Sequence, residues 1–131
     1  MTKVDVAVIG AGPGGYELAL ETARRGLRTA LIDRRGVLGG VCLNEGCIPS
    51  KALLESSLLY RRIIAESAAH GIAVAPPSLD LAALMARKDA VVKGLTDGIA
   101  VLMKARNVTV LRGEATVVAP ASRPSALGVP R

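Results

Sequence analysis

The stretch VDVAVIGAGPGGY, residues 4–16, indicates the fold class of this chain. Its first part, Val4 to Ile9, is a short run rich in β-branched residues and bounded by glycine, which is typical of a buried parallel strand. Glycines spaced Gly-x-Gly-x-x-Gly follow, and a helical pattern, YELALETARRG, then runs to a natural stop at Gly26. A second strand, Leu27 to Asp33, completes a strand–helix–strand unit of about thirty residues, the length of a βαβ crossover.

The glycine motif predicts a dinucleotide site. Gly10 permits a tight turn, Gly12 lets a pyrophosphate approach the backbone, and Gly15 lets the helix lie close to the strand. The N-terminus of that helix offers free N–H groups to phosphates. Asp33 ends the second strand, where an acid can accept hydrogen bonds from a ribose diol and would repel a 2′-phosphate. The motif does not separate FAD from NAD, and a glycine-rich turn in an ordinary α/β domain is the alternative interpretation.

The rest of the chain adds two helical runs and one strand. A loop from Arg34 to Gly40 leads into VCLNEGCIPSK, and helical spacing of apolar residues then continues to a linker at Gly71 to Ser78. A second helical run covers Leu79 to Arg106, and Asn107 to Leu111 has the composition of a third strand. We therefore predict an α/β fold: an incomplete Rossmann-like domain over residues 1–118, with a parallel sheet of about three strands and a long helical excursion.

Two cysteines, Cys42 and Cys47, are separated by four residues. Zinc suits them poorly, because a structural site needs four ligands and the one histidine, His70, falls at a predicted helix end, so we expect no metal. In a regular helix, Cα atoms five residues apart lie roughly 8–9 Å apart, beyond the limit of about 7 Å for a disulfide. A disulfide thus requires an irregular turn at residues 44–46, with the helix starting near Cys47 and Cys42 in the preceding turn. Two buried, inert cysteines are the alternative.

Composition excludes some classes of function. Seventeen Lys and Arg against eleven Asp and Glu give a net charge of +6, but the cations are scattered and the chain has no Phe or Trp on which bases could stack, which argues against nucleic-acid binding. No apolar stretch is long enough to suggest a membrane span. The first residues, MTKVDVAVIG, lack the pattern of a signal peptide, and we expect a cytoplasmic protein.

Several stretches resemble a known family. GAGPGGY (10–16), the acid at 33 and GGVCLNEGCIPSKALL (39–54) together resemble the flavin-dependent pyridine nucleotide–disulfide oxidoreductases. MARKDAVVKGLTDGIAVLMKARNVTVLRGEA (85–115) is similar to the N-terminal FAD domain of the dihydrolipoamide dehydrogenase branch of that family. One departure is Val41, where the family usually has Thr, and it leaves both thiols in place.

The resemblance implies an FAD cofactor and a redox-active cysteine pair. Cys42 would be the interchange thiol that reacts with the disulfide substrate, and Cys47 would exchange electrons with the flavin. Lys51, one helical turn after Cys47, would lie near the isoalloxazine ring. The residues that the resemblance assigns to the cofactor are Gly10, Gly12, Gly14, Gly15, Asp33, Gly39, Gly40, Cys42, Lys51, Gly113 and Ala115.

The resemblance covers about residues 3–118, and family members are several times longer. In the full-length family it implies NAD, homodimers, and the lipoyl group of a 2-oxoacid dehydrogenase complex as partner. This sequence contains no second Gly-x-Gly-x-x-Gly and no catalytic-histidine motif, so we expect an N-terminal part that has no NAD site and is inactive alone. The alternatives are a non-catalytic FAD- or nucleotide-binding module and a fragment of a related reductase of the mercuric or glutathione type.

The tail, residues 119–131, departs from the family pattern. It reads APASRPSALGVPR, with three prolines and no alternation that could form a strand, although the last residue before it, Val118, still follows the pattern. We hypothesise that the reading frame is lost near residue 119. A sequencing or annotation boundary is the alternative.

Overall fold

The computed structural model describes residues 3–117 and contains one three-stranded parallel sheet with β2 in the centre. This confirms the predicted α/β class, the three parallel strands and the long helical excursion. The elements are, in order, β1 (Val6–Ile9), α1 (Pro13–Arg24), β2 (Thr29–Asp33), α2 (Gly40–Asn44), α3 (Cys47–Ala65), a single 3₁₀ turn (Ser67–His70), α4 (Leu81–Ala105) and β3 (Thr109–Arg112).

The core lies around the central strand. Thr29 to Leu31 of β2 is almost completely buried, whereas β1 and β3 are partly exposed. Helix α4 closes the helical excursion by returning to the sheet, where it buries Ile99 and Met103. The positive φ of 55° at Asn107 then ends the helix and turns the chain into β3. The buried core cluster consists of Val8, Ala11, Ala19, Leu31, Leu43, Ile99, Met103 and Val108.

Element boundaries differ from the prediction by a few residues. β1 and β2 begin at Val6 and Thr29, two residues later than predicted. The preceding residues are held by side chains, since the carboxylate of Asp5 accepts hydrogen bonds from the backbone N–H and the guanidinium of Arg28. α1 begins earlier than the predicted pattern, at Pro13, because proline has no N–H and suits the first turn of a helix.

Within residues 3–117, every helix is too short or too polar to span a lipid bilayer. Residues 113–117 form no strand. The tail at 119–131 and the hypothesis of a lost reading frame lie outside the described residues.

Candidate functional site

The glycine motif forms a tight turn between β1 and α1. Gly10 has a φ of 98°, which strongly favours glycine, and its N–H donates to the carbonyl of Ile32 at 2.8 Å. A Cβ on Gly15 would collide with the carbonyl oxygen of Gly10, so Gly15 is required for the close approach of helix to strand. A Cβ on Gly12 or Gly14 would meet no atom within 4 Å, so the side on which a side chain would project is open at both positions. Gly10 and Gly15 therefore shape the turn, whereas Gly12 and Gly14 leave its surface accessible.

The N-terminus of α1 presents backbone N–H groups that have no partner within the helix. Gly12 is its N-cap and provides no side-chain hydrogen bond, and Pro13 has no N–H to satisfy. The next amides, Gly14 and Gly15, have no acceptor within the helix, because the first-turn N–H groups of any α-helix lack one. With the partial positive charge of the helix end, they suit a negatively charged group such as a pyrophosphate.

Asp33 fixes the glycine turn through its side chain. One carboxylate oxygen, Oδ2, accepts from the N–H of Ala11 at 2.8 Å, and the other, Oδ1, accepts from the N–H of Arg35 at 2.8 Å. The hydrogen bond from Ala11 is the main reason that the pKa of Asp33 lies below its ordinary value of 3.8, although burial opposes the shift. The sequence predicted a ribose ligand at this position and did not reveal this loop-holding role. The ribose contact itself stays a prediction.

A groove runs across the carboxyl ends of the three strands. It has a volume of about 260 Å³ and collects four of the predicted cofactor residues from distant parts of the chain: Gly10, Asp33, Gly113 and Ala115. The N–H of Gly113 donates to the backbone carbonyl of Asp33 at 3.1 Å, which holds the segment after β3 against β2. Parallel α/β sheets bind ligands at this end of their strands.

A second pair of glycines joins the cysteine segment to the glycine turn. Gly39 and Gly40 are buried and have positive φ angles of 93° and 58°. The N–H of Gly39 donates to the carbonyl of Ala11 at 2.8 Å, and a Cβ on Gly40 would lie 2.6 Å from the Cα of Gly12. The backbone of α2 therefore rests directly on the glycine turn, and any larger residue at position 40 would separate them.

The two cysteines form a disulfide. Their Cα atoms are 4.9 Å apart, within the predicted limit of about 7 Å. The chain between them leaves regular helix where the amides of Glu45 and Gly46 both donate to the carbonyl of Val41, and α3 starts at Cys47. This confirms the predicted irregular turn and the start of the following helix. The placement of Cys42 in a turn was wrong: it lies in the short helix α2, whose entry is allowed by the left-handed backbone at Gly39.

The two sulfur-bearing residues have different surroundings. Cys42 is half-buried and packs against the core, whereas Cys47 is exposed and is the first residue of α3. Lys51, one helical turn further on, is also exposed. Among the described residues, no group of three or more His, Cys, Asp or Glu side chains could hold a metal ion.

This asymmetry predicts unequal thiol reactivity in the reduced, flavin-free chain. Cys47 should be alkylated by iodoacetamide roughly tenfold faster than Cys42, because it is exposed and a helix N-terminus lowers a thiol pKa. Mass spectrometry of peptides after timed alkylation measures both rates in one sample, with Cys42 as internal control. Equal rates would contradict the asymmetry.

A dinucleotide-type glycine turn, packed against the segment that leads into a disulfide, defines the class of disulfide oxidoreductases that work through a dinucleotide cofactor. Comparison with known proteins agrees, since the sequence profile of the pyridine nucleotide-disulphide oxidoreductases matches residues 4–126. The chain belongs to this family, and family membership implies a flavin cofactor.

Individual relatives include proteins named dihydrolipoyl dehydrogenase and proteins named leghemoglobin reductase. Over 116 residues the chain is 49% identical to dihydrolipoyl dehydrogenase 1, mitochondrial, of Arabidopsis thaliana, and 49% identical to the mitochondrial dihydrolipoyl dehydrogenase of Pisum sativum. It is 45% identical over 117 residues to dihydrolipoyl dehydrogenase of Trypanosoma brucei brucei. These alignments cover 88% of this chain and 23%, 23% and 24% of the three relatives. The chain thus spans about a quarter of their length.

The expectation of a cytoplasmic protein was wrong. The relatives from Arabidopsis thaliana, Pisum sativum and Schizosaccharomyces pombe are mitochondrial proteins. The expectation rested only on the missing leader pattern in the first ten residues, and a missing pattern carries no physical information about compartment.

Proposed function

We propose that this chain supplies the FAD-binding turn and the redox disulfide of an oxidoreductase of the dihydrolipoyl dehydrogenase type. The observation that carries the proposal is the close contact between Gly40 and Gly12. This contact places the disulfide segment beside the dinucleotide turn. A structural disulfide or an isolated nucleotide turn would need no such contact.

The described residues fit FAD. The open surface at Gly12 and Gly14, next to the free amides of α1, suits the pyrophosphate. The groove with Asp33, Gly113 and Ala115 suits the adenosine. Bound FAD would supply a two-electron acceptor for a dithiol.

The cysteine pair would perform thiol–disulfide exchange. A thiolate of the substrate dithiol attacks the sulfur of Cys42, a mixed disulfide forms, and Cys47 leaves as a thiolate. The N-terminus of α3 stabilises the negative charge on Cys47. Lys51 keeps a cation one helical turn away. The names of the relatives support a dihydrolipoyl group as the substrate dithiol, and hence a 2-oxoacid dehydrogenase complex as the partner.

Flavin binding separates this proposal from a purely structural domain. We expect the chain to bind FAD, measured by quenching of flavin fluorescence, and Gly12→Ala to weaken binding at least tenfold while leaving the free energy of unfolding nearly unchanged. The added methyl meets no protein atom but occupies the surface that the pyrophosphate would approach. Binding of NAD or AMP, but not FAD, would instead favour a non-catalytic nucleotide module. Equal FAD affinity in the variant would contradict the assignment of the turn.

A protection experiment tests the roles of the two thiols. If Cys47 faces the flavin, saturating FAD should slow alkylation of reduced Cys47 several-fold and leave the alkylation of Cys42 nearly unchanged. The comparison uses the same peptide measurement as the flavin-free chain. Protection of Cys42 alone would reverse the two assignments.

A further inference from the structure

An ion pair ties the turn between the two cysteines to the end of β2. The guanidinium Nη1 of Arg35 donates to Oε1 of Glu45 at 2.5 Å. The backbone N–H of the same arginine donates to Oδ1 of Asp33 at 2.8 Å. Arg35 therefore connects the residue that fixes the glycine turn with the disulfide loop. Neither partner of the ion pair was among the predicted site residues.

Glu45 is a charged residue in the segment between the two cysteines, which the disulfide closes into a loop. It lies three residues after Cys42 and two before Cys47, and its N–H donates to the carbonyl of Val41 at 2.8 Å in the turn between α2 and α3. The same loop is also held by a neutral contact, since the side-chain amide of Asn44 donates to the carbonyls of Leu38 and Gly40. Loss of the ion pair would thus change the charge at the loop more than its path.

A carboxylate at this place opposes reduction of the disulfide. Reduction creates thiols, and at neutral pH a thiol at a helix N-terminus is partly ionised. A nearby negative charge disfavours the thiolate, and a nearby positive charge favours it. The guanidinium of Arg35 pairs with the carboxylate of Glu45 and so neutralises the negative charge of the segment between the two cysteines.

We propose that the Arg35–Glu45 ion pair sets the redox equilibrium of the Cys42–Cys47 disulfide by neutralising the acid within its loop. Both residues are positioning residues that act through charge and do not react themselves. The proposal rests on the proposed function only in that the disulfide is redox-active.

The test is equilibration of the chain with reduced and oxidised dithiothreitol. One dithiothreitol gives up two electrons and two protons and closes its ring disulfide, while the Cys42–Cys47 bond breaks to two thiols. Glu45→Gln leaves the guanidinium uncompensated and should shift the equilibrium constant two- to fourfold toward the dithiol. Arg35→Gln leaves the carboxylate uncompensated and should shift it two- to fourfold toward the disulfide. These shifts correspond to about 9–18 mV in opposite directions, at about 29.6 mV per tenfold change.

The directions of the two shifts in the equilibrium constant distinguish an effect of charge from an effect of loop geometry. If the pair acted only by holding the loop, both single variants would move the equilibrium in the same direction. The double variant should return close to wild type, and 1 M salt should shrink both single shifts, because these side chains are partly exposed to solvent. Same-direction shifts, or none, would overturn the proposal.

The controls keep this outcome separate from the proposed function. Glu66→Gln removes the acid of an exposed ion pair with Arg62 near the far end of α3, and should leave the equilibrium unchanged. Far-UV circular dichroism shows that each variant is folded. Failure to form the disulfide, or failure to bind FAD, would count against the proposed function. If the disulfide forms normally and neither variant changes its redox equilibrium, only the proposed role of the ion pair would be contradicted.

Discussion

Gly15→Ala is expected to destabilise the flavin-free chain by about 3 kcal/mol, at the upper end of what overpacking usually costs. The new Cβ would collide with the carbonyl oxygen of Gly10 and approach the side chain of Val8. Backbone cannot move aside as the end of a flexible side chain can, so α1 must shift away from β1. Urea denaturation followed by circular dichroism measures the loss.

Gly14→Ala is the matched control for this variant. The two glycines are neighbours in the first turn of α1, but a Cβ on Gly14 meets no atom within 4 Å. Alanine favours helix over glycine by up to about 1 kcal/mol, so this variant should be as stable as wild type or slightly more stable. If both variants lost the same free energy of unfolding, helix–strand contact would not be the reason for Gly15.

The contrast between Gly15 and Gly14 shows which structural features can be predicted from a glycine motif in the sequence. Its spacing predicted the turn, the close approach of helix and strand, and an open face for a ligand, because each of these depends on backbone geometry within a few residues. The irregular turn before Cys47 was predictable for the same reason, since the covalent reach of a disulfide excludes a regular helix over five residues.

Features that depend on the path of loops were not predictable. Asp33 meets the N–H of Ala11 across 22 residues, and Arg35 meets Glu45 across ten, so neither contact has a local sequence pattern. The contact between Gly40 and Gly12 likewise joins the cysteine segment to the glycine turn. The sequence predicted a role for each of these motifs but did not show that they are in contact. The short helix at Cys42 depends on a left-handed residue before it, and many loop conformations allow glycine at that position.

Asp33→Ala should affect both stability and flavin retention. The variant leaves the N–H groups of Ala11 and Arg35 without their carboxylate partner, which we expect to cost about 2–3 kcal/mol of unfolding free energy. If the carboxylate also binds the ribose, the affinity for FAD should fall by a further 1.5–3 kcal/mol, roughly tenfold to 150-fold. Asp97→Ala, which removes an exposed acid paired with Lys93 on α4, should change stability by less than about 0.5 kcal/mol.

The stability effect of Asp33 should depend on pH in a defined direction. Its pKa in the folded chain is lowered below 3.8, so the carboxylate stabilises the fold at every pH above the unfolded value. This contribution is lost as pH falls through the lower, folded-state pKa. The difference in unfolding free energy between wild type and Asp33→Ala should therefore be full at pH 7 and should narrow below about pH 4. A difference that stays constant down to pH 2 would show that the side chain acts by packing and not by charge.

Asp33→Glu separates the two roles of this carboxylate. A glutamate is one methylene longer, so its carboxylate can extend further toward a ribose in the groove, and we expect it to lose the 2.8 Å hydrogen bond from the N–H of Ala11. If the ribose contact dominates, this variant should bind FAD nearly as well as wild type even though its unfolding free energy falls. If the glycine turn must be fixed before the pyrophosphate can bind, Asp33→Glu should lose FAD affinity in parallel with stability, as Asp33→Ala does. The second result would make Asp33 a positioning residue for the glycine turn. Its contact with Ala11 would then control how well the turn binds the pyrophosphate, although the carboxylate does not itself touch that group.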